Sequence, residues 1–218
     1  MASLTITTRS PGVAQITMSR PAVFNAFDET MIGEPDAAFA TLAEDKNVRV
    51  IVLAGEGKHF SAGADLQWIQ RASTASEAWN LEDARRLAAK LARIEACPKP
   101  TVARVQGAAV GKRQALRLAL TTARINAAEA LAIGLVQQVV AVDALDAAID
   151  ATTRELLAGG PQAQAEIKQL FAQLSVGPIT PEVRELTART ISRMRGTAEA
   201  REGFAAYPAK RLANWTPQ

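Results

Sequence analysis

Apolar and polar residues alternate at the start of the chain, which is the pattern of strands with one buried face. Residues 3–19 predict a hairpin, because Leu4 and Ile6 alternate with threonines and Ser10-Pro11-Gly12 is typical of a turn. Further strands are predicted where short apolar runs rich in valine or leucine occur. These runs are residues 48–54, 101–105 and 135–140.

Helical spacing of apolar residues predicts helices between these strands. Asp28 is a candidate N-cap of a helix that continues to about Asp45. Pro35 lies inside this pattern, where it should kink the helix or cost about 3 kcal/mol. A Gly-rich loop, residues 55–65, then leads into a short helix and a longer one, which ends at Cys97 beside two prolines.

Strand patterns become rare in the second half of the chain. Residues 112–123 predict a helix, and Asn126 begins a capping box for a short helix that Gly134 stops. From there on, apart from the run at 135–140, the pattern is helical. We therefore expect an α/β body over residues 1–142, followed by an all-helical region over residues 143–218.

The composition is that of a globular protein. Of the 218 residues 48% are hydrophobic and 22% are charged, which argues against disorder and against a fibrous repeat. The 45 alanines favour closely packed helices. A net charge of +3 is too weak to indicate nucleic-acid binding, and no apolar run approaches the length of a membrane span. We therefore expect a soluble, cytoplasmic protein with no membrane or nucleic-acid partner.

Familiar catalytic groups are scarce in this sequence. One cysteine, Cys97, and one histidine, His59, exclude a disulfide framework and a Cys/His zinc site, so we expect no metal. Neither residue lies in a motif of a nucleophilic enzyme, and both are interpreted as structural. No phosphate-binding loop, dinucleotide fingerprint or EF-hand pattern is present.

Two loops of small residues offer a different kind of chemistry. Residues 60–65 and 106–111 each follow a predicted strand and precede a predicted helix. Backbone N–H groups at the first turn of a helix lack partners within the helix, and they suit a negatively charged oxygen. Two such loops together would form an oxyanion hole from main-chain donors alone.

Six segments, in order along nearly the whole chain, resemble the crotonase superfamily of enoyl-CoA hydratases and isomerases. They are residues 19–26, 60–66, 98–103, 106–109, 126–130 and 134–136. Within the superfamily, three shorter segments most resemble methylglutaconyl-CoA hydratases of leucine degradation. These are residues 65–68, 80–83 and 104–107.

The resemblance implies a spiral of ββα units and a C-terminal helical region that assembles homotrimers, often paired into hexamers. It implies an acyl-CoA thioester substrate, with coenzyme A as part of the substrate and no separate cofactor. The thioester oxygen would be bound by the backbone N–H groups of Ala64 and Gly111. The implied substrate-binding positions are Ala22 and Phe24 near the adenine, and Ala62, Ala64, Asp65 and Leu66 along the acyl-CoA channel.

The sequence departs from the family after the second loop. The family pattern continues with a glycine run, a helix with one catalytic glutamate, and a strand and loop with a second glutamate. Here Gly111 is followed directly by Lys112, which begins a segment that matches a helix well downstream. The gap has the size of a supersecondary unit, about 30 residues or more. Because a compact domain does not easily lose such a unit, we expect the sequence to omit a segment between 111 and 112.

Three functions are consistent with the sequence. The first is hydration of a 2-enoyl-CoA, with methylglutaconyl-CoA as the favoured substrate. The second is enoyl-CoA isomerisation, which needs only one carboxylate. The third, which applies if the segment is truly absent, is binding of acyl-CoA without catalysis.

Overall fold

A computed structural model describes residues 3–107, 125–174 and 180–217. Its sheet has four strands in the order β1-β2-β3-β4, in which β1 and β2 are antiparallel and the other neighbours are parallel. The predicted hairpin is confirmed, and the strands predicted at residues 48–54 and 101–105 lie within two residues of their predicted bounds. The strands are β1 Leu4–Ser10, β2 Val13–Met18, β3 Val50–Gly55 and β4 Thr101–Arg104.

Eight α-helices surround this sheet in the described part of the chain. They are α1 Glu29–Glu44, α2 Leu66–Thr74, α3 Glu77–Ala96, α4 Ala127–Ala132, α5 Leu145–Ala158, α6 Pro161–Gln173, α7 Pro181–Arg195 and α8 Ala198–Ala206. The predicted caps are confirmed: the Asp28 side chain accepts from the N–H of Met31, and Asn126 forms a capping box with Glu129. The helical nature of the last third of the chain is confirmed as well.

The core is formed on both faces of the sheet. On one face Ile16 and Ile51 pack against Phe39 of α1, and all three are fully buried. On the other face Val50 packs with Ile149 of α5. Alternate residues of β2 and β3 thus face opposite layers, as the period of a strand requires. The expected α/β architecture with a helical C-terminal region is confirmed, and the boundary at residue 142 stays a prediction.

Helix α1 continues through Pro35 as one element. Proline has no N–H, so the carbonyl of Met31, four residues earlier, lacks its helical donor. The side chain of Lys90 on α3 replaces it, because Nζ donates to the Met31 carbonyl oxygen at 3.0 Å. The expected penalty of the internal proline is therefore offset by a contact that is distant in sequence.

The prediction of a strand over residues 135–140 is wrong, since these residues form no strand. An apolar run becomes a strand only where a neighbouring strand accepts and donates its backbone hydrogen bonds. In the described ranges, no strand pairs with this run. The predicted helix over 112–123 and the predicted donor Gly111 lie outside the described residues.

No described helix combines the length and the hydropathy that crossing a membrane requires. No group of three or more metal-binding side chains occurs in the same part of the chain.

Candidate functional site

The first small-residue loop is held by a short parallel bridge between Phe27 and Ala64. The N–H of Phe27 donates to the carbonyl of Gly63 at 2.7 Å, and the N–H of Asp65 donates to the carbonyl of Phe27 at 2.8 Å. In a parallel bridge of this kind, Phe27 bonds to the residues on either side of Ala64 and not to Ala64 itself. The N–H of Ala64 therefore points away from Phe27. Ala64 is exposed, and its N–H has no acceptor among the described residues.

The neighbouring N–H groups of the loop differ from that of Ala64 because they have internal acceptors. The N–H of Ala62 donates to the carbonyl of Phe24 at 2.9 Å. The N–H of Gly63 donates to Oγ of Ser61, whose hydroxyl in turn donates to the carbonyl of Asn25. These bonds fix the loop that carries the N–H of Ala64.

The predicted substrate-binding residues fall into two groups. The first group consists of the five predicted residues that are exposed: Ala22, Phe24, Ala62, Ala64 and Leu66. The structure brings Phe24 and Ala62 together through their backbone hydrogen bond. Contact of these residues with an acyl-CoA stays a prediction.

Asp65 forms the second group, because it is buried and its carboxylate is used within the protein. Oδ1 accepts from the N–H groups of Gln67 and Trp68 and so caps α2, and Oδ2 accepts from Arg20 at 3.1 Å. Desolvation alone would raise the pKa of Asp65, but the hydrogen bonds from Trp68, Gln67 and Arg20 together lower it below its usual value.

Arg20 connects the N-termini of two helices across this loop. Its guanidinium lies 3.0 Å from the Asp28 carboxylate, which caps α1, and 3.1 Å from the Asp65 carboxylate, which caps α2. It also donates to the carbonyl of Ala26 at 2.6 Å. In the sequence, Arg20 stands within a family motif, and its role here is not predictable from its neighbours because Asp65 is 45 residues away.

Asn25 joins the turn before α1 to the Gly-rich loop. It is fully buried and adopts a left-handed backbone with φ of 53°, which asparagine tolerates better than most residues. Its Nδ2 donates to the carbonyls of Glu56 and His59 at 3.0 and 2.8 Å, and its Oδ1 accepts from the N–H of Arg20. The ring of Phe24 also meets His59 edge to face at 4.9 Å. The hydrogen bond from Asn25 and the ring contact with Phe24 are both consistent with a structural role for His59.

The second loop begins against the first. Nε2 of Gln106 donates to the carbonyl of Gly55 at 2.6 Å, and the carbonyl of Gln106 accepts from the N–H of Phe60. Gly107 has φ of 60°, and a Cβ there would lie only 2.2 Å from the carbonyl oxygen of Lys58. Beyond Gly107 the loop is outside the described residues, so the role of Gly111 as second donor stays a prediction.

The two acidic residues that flank the bridge do not supply a free base. Asp28 and Asp65 are both helix caps, and both are paired with Arg20. The described geometry therefore suits polarisation of a carbonyl by a backbone donor, and these two carboxylates do not add proton transfer to it.

The chain is similar to known proteins over most of its length. The family pattern described as enoyl-CoA hydratase/isomerase matches residues 8–111 and 108–218. The chain is 26% identical to a trans-2-decenoyl-[acyl-carrier-protein] isomerase of Streptococcus mutans, with 94% of this chain and 95% of that protein covered. It is also 26% identical to a probable mitochondrial enoyl-CoA hydratase of Dictyostelium discoideum, with 97% and 90% covered.

Solved structures are similar as well. The crystal structure of an enoyl-CoA hydratase from Shewanella pealeana has a TM-score of 0.90 and 30% identity, and it covers 98% of this chain and 96% of that one. The sequence alignment with the S. mutans protein runs over 250 residues, 32 more than this chain has, so at least that many aligned positions have no counterpart here. The two matched parts of the family pattern meet at residues 108–111, beside the predicted gap. On these findings, the chain belongs to the enoyl-CoA hydratase/isomerase family, the crotonase superfamily.

Proposed function

We propose that this protein binds a 2-enoyl-CoA thioester at the loop of residues 60–66, and that its reaction is the addition of water across the 2,3 double bond. The observation that carries the proposal is the backbone N–H of Ala64, an exposed residue, which has no acceptor among the described residues. A donor fixed in this way needs no reorganisation when negative charge develops on a substrate oxygen.

The chemistry assigns a clear role to this donor. When water adds to C3 of a 2-enoyl thioester, the electron pair of the double bond moves toward the carbonyl and charge develops on the thioester oxygen. A hydrogen bond from Ala64 would stabilise this enolate, and loss of one such donor typically costs about 3 kcal/mol of barrier. By resemblance, the N–H of Gly111 is the second donor.

Proton transfer is the part of the reaction that the two carboxylates beside the loop do not supply. Activation of water and protonation of C2 each need a positioned acid or base. The carboxylates that flank the loop, Asp28 and Asp65, are paired with Arg20. Hydration therefore depends on glutamates of a segment between Gly111 and Lys112.

A second function, binding of acyl-CoA without turnover, is favoured by the gap itself. If the natural chain has no residues between Gly111 and Lys112, the oxyanion donor remains but the acid and base are missing. Isomerisation is the third possibility, since it needs one carboxylate, and the S. mutans relative is named as an isomerase.

A titration with a short 2-enoyl-CoA such as crotonyl-CoA tests the proposal. Polarisation of the carbonyl should move the ultraviolet absorption of the conjugated thioester to longer wavelength, and hydration should abolish that absorption. Ala64→Pro removes the N–H and should eliminate the spectral shift, whereas Ala64→Gly keeps the N–H and serves as its control. Binding with an unchanged spectrum would refute the role of Ala64, and a spectral shift without turnover would favour the binding function.

The finer proposals concern substrate and assembly. Resemblance of residues 65–68 to methylglutaconyl-CoA hydratases supports a branched, acidic acyl group, and a higher kcat/KM for methylglutaconyl-CoA than for crotonyl-CoA would agree. Exposed aromatic residues on the C-terminal helices, Phe171 and Phe204 among them, support assembly into a homotrimer or hexamer. Sedimentation of the purified protein tests the oligomeric state, and a monomer would refute it.

A further inference from the structure

Lys90 is a charged residue in an unusual place. It lies on α3, and only 4% of its surface is exposed. Buried lysines are rare unless their ammonium group has partners. Lys90 has two: the carbonyl oxygen of Met31, at 3.0 Å, and the ring of Phe27, whose centroid lies 3.8 Å from Nζ.

The first partner has a structural explanation. Pro35 leaves the Met31 carbonyl without its helical donor, and this carbonyl belongs to a fully buried residue. An unsatisfied buried carbonyl is destabilising, so a donor at this position keeps α1 continuous. An ordinary N–H at position 35 would serve equally well for this purpose.

The second partner connects Lys90 to the candidate site. A cation over an aromatic ring at this distance is attracted by the ring, and more strongly where both are shielded from water. The attraction restrains Phe27, whose backbone N–H and carbonyl are bonded to Gly63 and Asp65. Those two bonds flank Ala64 and set the direction of its N–H.

We propose that Lys90 is a positioning residue for the oxyanion donor: it restrains Phe27, and the backbone of Phe27 in turn fixes the N–H of Ala64. The inference rests on the proposed function of Ala64 as the donor to a thioester oxygen. It predicts that the charge of Lys90 matters for the site beyond its contribution to helix α1.

Three variants separate the two roles. Lys90→Met removes both contacts. Pro35→Ala restores the helical N–H to Met31, and the double variant Pro35→Ala/Lys90→Met has an intact helix without the cation over Phe27. Arg85→Met is the matched control, because Arg85 lies on the same helix with its side chain 67% exposed.

Two readouts are measured for each variant: the wavelength shift of bound crotonyl-CoA, and hydrogen exchange of the Asp65 amide, which donates to Phe27. We expect Pro35→Ala and Arg85→Met to resemble the wild type in both. The double variant should recover the thermal stability that Lys90→Met loses, but retain a smaller wavelength shift and an Asp65 amide that exchanges about tenfold faster.

The outcomes distinguish this inference from the proposed function. A double variant with a wild-type wavelength shift and wild-type exchange would show that Lys90 only replaces the missing N–H of Pro35, and would overturn the inference. If the wild type does not shift the thioester spectrum at all, the proposed function fails. In that case the Asp65 exchange rates still decide whether Lys90 restrains the bridge.

Discussion

The buried ammonium of Lys90 makes the stability of this protein change with pH in the alkaline range. Burial lowers the pKa of Lys90 from 10.5 to about 8, because desolvation disfavours the charged form. Below about pH 8 the group is protonated in both the folded and the unfolded chain. Between about pH 8 and 10.5 the folded protein releases this proton while the unfolded chain retains it. The contribution of Lys90 to the free energy of unfolding therefore rises with pH across this window.

The magnitude follows from the interval between the two pKa values. At about 1.4 kcal/mol for each pH unit, the interval from 8 to 10.5 corresponds to about 3 kcal/mol. Screening by solvent takes little away from this figure, since only 4% of Lys90 is exposed.

Urea unfolding of Pro35→Ala and Pro35→Ala/Lys90→Met across this pH window is the assay. Burial also lowers the pKa values of Lys99 and Lys168. Both variants carry them, so they cancel in the difference. We expect the stability of Pro35→Ala relative to the double variant to rise with pH by up to about 3 kcal/mol. A difference that stays flat or falls would refute the reasoning.

Further predictions concern residues that fix the loop. Asn25→Ala should destabilise the fold by about 3 kcal/mol or more, because buried polar groups lose their partners. Asn25→Gly should destabilise it by about 1 kcal/mol less, because glycine accepts the left-handed backbone. Equal losses of stability in urea unfolding would contradict this reasoning. Arg20→Met should lower the free energy of unfolding by about 2–3 kcal/mol, because the carboxylates of Asp28 and Asp65 lose their partner. The same variant should raise the pKa of Asp65 in NMR titration. An unchanged pKa would argue against the contact between Arg20 and Asp65. Gly107→Ala should lower the melting temperature more than Gly134→Ala does. Both glycines have positive φ, but of the two only Gly107 lacks room for a Cβ. Similar decreases in melting temperature would show that the backbone around Gly107 moves to accommodate the Cβ.

Local rules were sufficient for much of the fold. The hairpin follows from alternation and a Ser-Pro-Gly turn, and α1 begins where an aspartate is followed by helical spacing. These features depend on residues a few positions apart, so a single sequence is sufficient to predict them. The loop that carries Ala64 was predicted for the same reason, because small residues follow a strand and precede a capped helix.

The contacts that orient the loop were not predictable in this way. Lys90 lies 59 residues from Met31, and Arg20 lies 45 residues from Asp65. Nothing in the local sequence around Lys90 distinguishes it from a solvated lysine on a helix. The only local signal was Pro35, a proline inside a helical pattern, which implied a carbonyl in need of a donor without indicating which residue supplies it.

The unpaired run at 135–140 and the gap at residue 111 have a common explanation. A strand-forming sequence that forms no strand is expected where the strand that should pair with it is missing. The alignment with the S. mutans relative leaves at least 32 positions without a counterpart, which is enough for such a unit. The intact mass of the protein purified from its natural source tests this directly. A mass near 23.2 kDa would mean that the family fold is assembled without the unit, and that acyl-CoA binding without turnover is the function to pursue. A mass higher by about 3 kDa or more, as a supersecondary unit would add, would support a missing unit between Gly111 and Lys112, and hydration would then be the reaction to assay.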